Sequence, residues 1–250
     1  MNICERYSQW CTDDFFDEST KNELKEITDE KEIEDRFYCD LKFGTGGMRG
    51  KMGAGTNRLN KYTVGRATAG LGFYLTEQFG KDACLTRGAA IAYDTRNNSK
   101  ELAEITADIL TGMGVKVYIF DKPVPTPELS FTIRQFRCIA GIVITASHNP
   151  KEYNGYKVYD ENGGQLVVWQ AKQLVEYVNR IKDITSVSFE GNGKLKQYID
   201  TTDEFTDAVV SHTVRTEQKN RDGFTIVYTP LHGTGNIPVR GALRKSGFND

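Results

Sequence analysis

A chain of 250 residues can bury the core of one large or two small domains, and 38% hydrophobic with 26% charged residues is the balance of a globular protein. The formal net charge of −2 gives no overall basic field for nucleic acid, so an anionic ligand has to be met by a local cluster of donors. No run approaches the ~18 apolar residues of a membrane helix, and the opening MNICERYSQW lacks the basic and apolar parts of a signal peptide. Cys4, Cys11, Cys39, Cys84 and Cys138 form no CxxC pair and no metal-ligand spacing, so free thiols and a cytoplasmic location are expected.

Residues 1–40 are charged and helical in pattern, with Thr28 and Asp29 as a break between two helices in 18–41. Residues 43–55 hold six glycines in thirteen positions, which predicts a loop whose backbone approaches something closely or takes φ > 0. Val64, Ala67, Leu71, Tyr74 and Leu75 share one face of a long helix that ends at Gly80. A strand follows over 89–93 and ends in Asp94-Thr95-Arg96, and Asn98 or Ser99 can cap the next helix, which runs to about Thr111.

A second strand is predicted over 115–120. Pro123, Pro125 and Pro127 then hold an extended loop before a helix over 128–136. The apolar run 139–144 reads as a buried strand leading into TASHNP at 145–150. A short strand over 156–159, a turn at Gly163-Gly164 and a helix over 168–184 come next. The polar stretch 186–198, with Gly191-Asn192-Gly193, suits a domain boundary. Beyond it the pattern predicts a helix over 202–214, a strand over 224–228, the loop TPLHGTG at 229–235 and helix at 242–245. Alternating strands and helices predict an α/β fold: a three-layer mixed sheet with helices on both faces, followed by the start of a second similar α/β domain. In such sheets sites form at the carboxyl ends of strands, where Asp94 and Ser147 both fall.

Ser147 offers a hydroxyl that can accept and return a phosphoryl group, splitting one transfer into two. It lies in a small polar loop whose backbone N–H groups can hold phosphate oxygens. By composition alone the same loop also reads as an ordinary turn. Neighbours in an extended segment point to opposite faces, so His148 is expected to be a donor to phosphate or substrate and not the base for Ser147. Arg49 in FGTGGMRG brings a planar fork suited to phosphate, or is a solvated arginine on a flexible loop. Lys157 can neutralise phosphate or carry a proton if burial or nearby positive charge lowers its pKa, or it is a plain surface lysine. Asp94 and Arg96 suit either a brace for the serine loop or substrate contact. His232 follows a strand and is either turned to substrate or bonded to the backbone; His212 receives no role. There is no DxDxD run, HExxH or His/Cys cluster for a metal.

FGTGGMRG at 43–50, AYDTR at 92–96, TASHNP at 145–150, NGYKVY at 154–159 and TPLHGTG at 229–235, in this order, resemble the α-D-phosphohexomutase family. With GAGTNRLN at 53–60, the first is most similar to the bacterial phosphoglucomutase/phosphomannomutase branch that also includes phosphopentomutase-like enzymes. The resemblance implies an intramolecular phosphotransferase that interconverts hexose 1-phosphate and hexose 6-phosphate of glucose or mannose through a sugar bisphosphate. Ser147 matches the serine that carries the phosphoryl group, Arg49 the arginine near it, Lys157 the lysine of the catalytic centre and His148 the histidine of the serine loop. Thr45, Gly46, Arg49, Ser147, His148, Asn149 and Lys157 match the phosphate- and substrate-binding positions, with Asp94 and Arg96 in support. The family further implies Mg²⁺ between phosphorylated Ser147 and an aspartate loop, with glucose 1,6-bisphosphate as activator.

Members of this family have four domains. The expectation is therefore an N-terminal fragment, with the first domain at 1–195 and the beginning of the second at 196–250. The remaining metal ligands, the sugar-selecting loop and the distal phosphate loop would lie outside it. Such a fragment is expected to lack useful turnover and to self-associate through exposed interdomain surface. Its partners are expected to be small sugar phosphates, with no nucleic acid and no membrane. Phosphopentomutase or sugar-bisphosphate synthase activity, or a non-catalytic sugar-phosphate-binding module, are the alternatives.

Overall fold

In the computed structural model, which describes residues 2–214 and 225–248, three short helices open the chain: α1 (Ile3–Thr12), α2 (Glu18–Lys25) and α3 (Glu30–Phe37). Each starts where a short polar side chain takes up an N–H of the first turn: Asn2 from Glu5, Asp17 from Thr20 and Asp29 from Lys31. The break at Thr28–Asp29 is thus a helix cap. The inner faces close over Trp10, which stacks on Phe16 with ring centroids 4.4 Å apart and meets Phe37 and Tyr62 edge-on.

The glycine-rich stretch shows the close approach and positive φ that its composition predicts, but mostly in strands and not in a loop. It folds into β1 (Phe43–Gly44) and β2 (Gly47–Lys51), a tight antiparallel hairpin. Its glycines serve a close approach between strands: a Cβ at Gly47 would collide with the carbonyl oxygen of Tyr156. The helix α4 (Lys61–Thr86) follows, capped by Asn60 and broken at Gly80, where φ is 78°. Gly80 therefore interrupts the helix, and a further helical segment continues past it.

Next come β3 (Ala89–Tyr93), α5 (Ser99–Gly112), β4 (Val117–Phe120), α6 (Thr126–Gln135), β5 (Ala140–Ile144), β6 (Tyr153–Asp160) and α7 (Val168–Arg180). After two short 3₁₀ turns the described chain adds β7 (Lys196–Ile199), α8 (Thr202–Ser211) and α9 (Asn236–Lys245). The seven strands form one mixed sheet in the order β1-β2-β6-β5-β3-β4-β7. Strands β5, β3, β4 and β7 are parallel, while β6, β2 and β1 continue the sheet antiparallel.

Alternation along the central strands fills two cores. Ile91, Ile119, Ile142 and Ile144 face α4, α5 and α7, whereas Ala90, Ala92, Phe120 and Val143 face α6. Each such isoleucine, removed from water, contributes about 1.5–3 kcal/mol. From β3 the chain crosses by α5 to β4 on one side, then by α6 to β5 on the other. The strand order thus reverses between β3 and β5, and the crevice at their carboxyl ends is where such sheets bind ligands.

Strand β7 lies beyond residue 195 yet pairs with β4 in this same sheet. Helix α8 packs on α6, with the Phe131 and Phe205 rings 5.8 Å apart, and α9 packs on α8 through Lys245, whose Nζ donates to Asp203 O at 2.9 Å and Thr206 Oγ1 at 2.8 Å. At the α6–α8 junction, fully buried Glu128 accepts from Thr202 Oγ1 at 3.0 Å. Its Oε2 has no hydrogen-bond partner among the described residues. Of the strand predicted over 224–228, Phe224 lies outside the described residues and 225–228 form no strand. Residues 242–245 continue helix α9, which starts at Asn236. Among the described residues no helix is long and apolar enough to cross a membrane, and all five cysteines are free.

Candidate active site

Buried β5 delivers residues 145–150 to the crevice as a turn, not as an extended segment. Ser147 sits at its apex in the left-handed region, with φ 57°, a conformation that a residue other than glycine holds only when its surroundings enforce it. Thr145 does much of the enforcing. Its hydroxyl donates to Asp94 Oδ2 at 2.6 Å and accepts from the Ser147 N–H at 3.1 Å. Asp94 Oδ1 in turn accepts from the Arg96 N–H at 2.9 Å and from Ser99 Oγ at 2.7 Å.

Arg96 holds the same loop from below. Its Nη1 donates to the carbonyls of Pro150 (2.9 Å) and Tyr153 (3.0 Å), and its Nη2 to those of Ser147 (2.8 Å) and Asn149 (2.6 Å). Asp94 Oδ2 lies 3.5 Å from its Nε. The planar fork thus ties four carbonyls of one loop to the end of β3. Asn154, wholly buried in β6, donates to Asn97 O at 3.0 Å and Ser99 Oγ at 2.9 Å. Next to it, a Cβ at Gly155 would lie 2.5 Å from Thr145 O and 2.9 Å from Met48 O, so only glycine lets β6 pass between the serine loop and β2.

This geometry changes one expectation. Because Ser147 is left-handed, its side chain and that of His148 do not diverge: Ser147 Oγ and His148 Nδ1 are 3.3 Å apart on the exposed tip. The opposite-faces argument holds for strands and fails in this turn. The N–H groups of Ser147 and Asn149 are also committed within the loop, to Thr145 Oγ1 and Ala146 O, so they are not open to an incoming anion.

The β1–β2 hairpin brings the second set of residues. Arg49 is exposed and its Nη1 donates to Asn149 Oδ1 at 2.7 Å, joining the hairpin to the serine loop. In the β2–β6 ladder Arg49 opposes Gly155 and Gly47 opposes Lys157, which puts Arg49 and Lys157 diagonally on one face. Lys157 is half-buried. Burial, followed by the Arg49 charge, holds its ammonium below the ordinary lysine pKa, against a smaller opposing pull from Asp94. Thr45 is exposed at the hairpin turn. Gly46 follows with φ 85°, its carbonyl accepting from the Val158 N–H at 2.9 Å.

Ser147, His148, Asn149, Arg49 and Lys157 therefore gather around one crevice, over a frame made by Asp94 and Arg96. His232 stands on an exposed turn ahead of α9, with φ 64°. Neither predicted capper of α5 bonds as a cap: Asn98 is left-handed and makes no side-chain cap, and Ser99 turns to Asp94. Thr145, Ser99 and Asn154 are framing residues that motif chemistry passes over. Their signal is a polar side chain inside or beside an otherwise apolar strand, where burial demands a partner.

The gathered groups are arginine, lysine, histidine and asparagine, and no cluster of three His, Cys, Asp or Glu occurs among the described residues. Mg²⁺ selects anionic oxygens, so these side chains alone do not fit it.

Comparisons with known proteins agree with this geometry. Residues 40–185 match the family model described as phosphoglucomutase/phosphomannomutase, alpha/beta/alpha domain I. A phosphoglucomutase of Staphylococcus haemolyticus (strain JCSC1435) is 39% identical over 209 residues, covering 82% of this chain and 37% of that protein. One of Staphylococcus epidermidis (strain ATCC 12228 / FDA PCI 1200) is 35% identical over 241 residues, covering 94% and 43%. The chain thus spans less than half the length of these relatives. Among solved structures, a Thermus thermophilus protein described as a candidate phosphomannomutase superposes with a TM-score of 0.64 at 28% identity, covering 84% of this chain and 44% of that one. The open form of the Paramecium phosphoglucomutase pp63/parafusin gives 0.62 at 18% identity, covering 84% and 41%, a likeness of fold alone.

Proposed function

This chain belongs to the phosphoglucomutase/phosphomannomutase family, and on that footing we propose that Ser147 carries a phosphoryl group exchanged with a hexose phosphate. The observation that carries the reading is the exposed Ser147 hydroxyl, held left-handed at the strand-order reversal, with His148, Arg49 and Lys157 around the same crevice. The relatives' names favour glucose or mannose 1- and 6-phosphates as substrates of the whole protein.

In the outward step a sugar hydroxyl attacks the phosphorus on Ser147. The new sugar O–P bond forms, the Oγ–P bond breaks, the sugar hydroxyl loses a proton and Oγ gains one. Lys157 as the neutral amine, the form that burial and the Arg49 charge favour, takes the first, and His148 as the imidazolium, 3.3 Å from Oγ, supplies the second. Arg49 neutralises charge on the phosphoryl oxygens. On the return step the same groups act in reverse on the other phosphate of the bisphosphate. For Mg²⁺ this chain offers the phosphoserine oxygens, and the carboxylates would come from outside the described residues.

Intact-mass measurement after incubation with glucose 1,6-bisphosphate and Mg²⁺ is expected to show one phosphoryl group per chain, mapped to Ser147 and lost in Ser147→Ala. A group that maps elsewhere, or that survives the substitution, overturns the proposal.

A further inference from the structure

Behind the hairpin that carries Arg49 lies a second concave region. A cavity of about 470 Å³ opens between α1, the segment 39–43, α4, α7 and the stretch after α7. That volume falls in the range of small-molecule sites. It lies on the other side of the sheet from the candidate active site: Met48 lines it, and successive residues of a strand point to opposite faces, so Arg49 leaves β2 the other way.

Apolar side chains such as Met48 and Val175 make up most of its wall, and Gln9, Thr56, Thr63 and Asn179 add neutral polar groups. Its charged lining is unbalanced, with Arg6, Lys42, Arg66 and Lys182 against Asp40 and Asp183. Both carboxylates are already engaged. Asp40 accepts from Arg6 Nη1 at 3.1 Å and from Arg66 Nη1, while Asp183 Oδ1 accepts from the N–H and hydroxyl of Thr185 at 2.9 and 2.8 Å. Lys42 and Lys182 form no ion pair among the described residues and are exposed at the rim. A largely apolar chamber with two uncommitted ammonium groups at its rim attracts negative charge on an apolar body.

We propose that this cavity binds a small amphipathic anion, a carboxylate or sulfonate on an apolar body, at a site separate from the serine loop. The apolar body fills the space between α1 and α7, and the anionic end meets Lys42 and Lys182.

Fluorescence titration with 8-anilinonaphthalene-1-sulfonate tests this. One saturable site per chain is expected, displaced by octanoate and not by glucose 1-phosphate. Charge reversal in the Lys42→Glu/Lys182→Glu double variant should weaken binding about tenfold or more. Both lysines are exposed, so an unchanged melting curve will show that folding is intact. Val175→Trp, which fills the space from α7, should remove the site. Binding of several probes per chain, no saturable binding, or affinity unchanged in both variants overturns the proposal. Displacement by glucose 1-phosphate also overturns it, because the probe would then sit at the serine loop.

Discussion

Asp94 and Glu128 are both carboxylates set among threonine and serine hydroxyls, and the fold treats them in opposite ways. Asp94 has each oxygen engaged, by Thr145, Ser99 and the Arg96 N–H, with the Arg96 guanidinium beside it. Glu128 receives Thr202 at 3.0 Å and Thr201 at 3.5 Å on one oxygen, while the other has no partner among the described residues. Burial is the main reason its pKa rises to about 7. The contrast separates two uses of a polar group inside a protein. Around the serine turn a carboxylate is fully bonded, and the reward is one enforced geometry. At the α6–α8 junction desolvation makes the acid hold its proton up to about pH 7, and its cost depends on pH.

Removing the bonded carboxylate should have the largest effect. Asp94→Ala strips an acceptor from three donors and leaves Arg96 without its counter-charge, so a loss of about 3–4 kcal/mol is expected in urea unfolding, together with loss of phosphoryl uptake at Ser147. A loss below about 1 kcal/mol would mean that the turn is held by other contacts.

The buried acid should show itself in pH dependence. Its folded pKa lies above the free value of 4.5, so the native state keeps a proton that the unfolded chain has released. Its contribution is complete below pH 4.5 and is lost as pH climbs to about 7, by roughly 3 kcal/mol at 1.4 kcal/mol per tenfold. Glu128→Gln should flatten that slope; an unchanged slope assigns it to other groups.

A smaller break is Arg96→Lys. One ammonium cannot reach four carbonyls in fork geometry, so about 2 kcal/mol should be lost, with faster amide exchange at Ser147 and Asn149. Exchange rates equal to those of the parent chain would show that the fork is dispensable. The least change should come from Arg49→Met, which removes the charge that, after burial, lowers the Lys157 pKa. Lys157 should then titrate at higher pH and be acylated more slowly at a given pH; an unaltered labelling profile would leave burial as the sole cause.

Much of this arrangement is legible in the sequence. The apolar runs of β3 and β5 sit between helices and could pair only inside a sheet, and the motif at 145–150 fell at a strand end. The glycine-rich 43–55 forms a hairpin because glycine, which signals a loop locally, here serves contacts with Tyr156 and Lys157 from about a hundred residues away. The bond between Asn154 and Ser99 is hidden for a similar reason: a buried hydrogen bond is made by two sites, and a sequence displays one at a time. The strand predicted at 224–228 had the apolar pattern, but among the described residues 225–228 have no neighbouring strand to supply ladder bonds.

Strand β7 lies at the end of the sheet and covers β4, whose four residues are all buried. Its own composition is Lys-Gln-Tyr-Ile, with Lys196 held by Glu104 and Asp108, a polar margin unsuited to recruiting another strand. If the chain were cut after residue 195, the outermost strand would instead be Val-Tyr-Ile-Phe, with its backbone groups unpaired along one side. The consequence is colloidal: these four residues decide whether the domain stays dispersed or stacks edge to edge into aggregates.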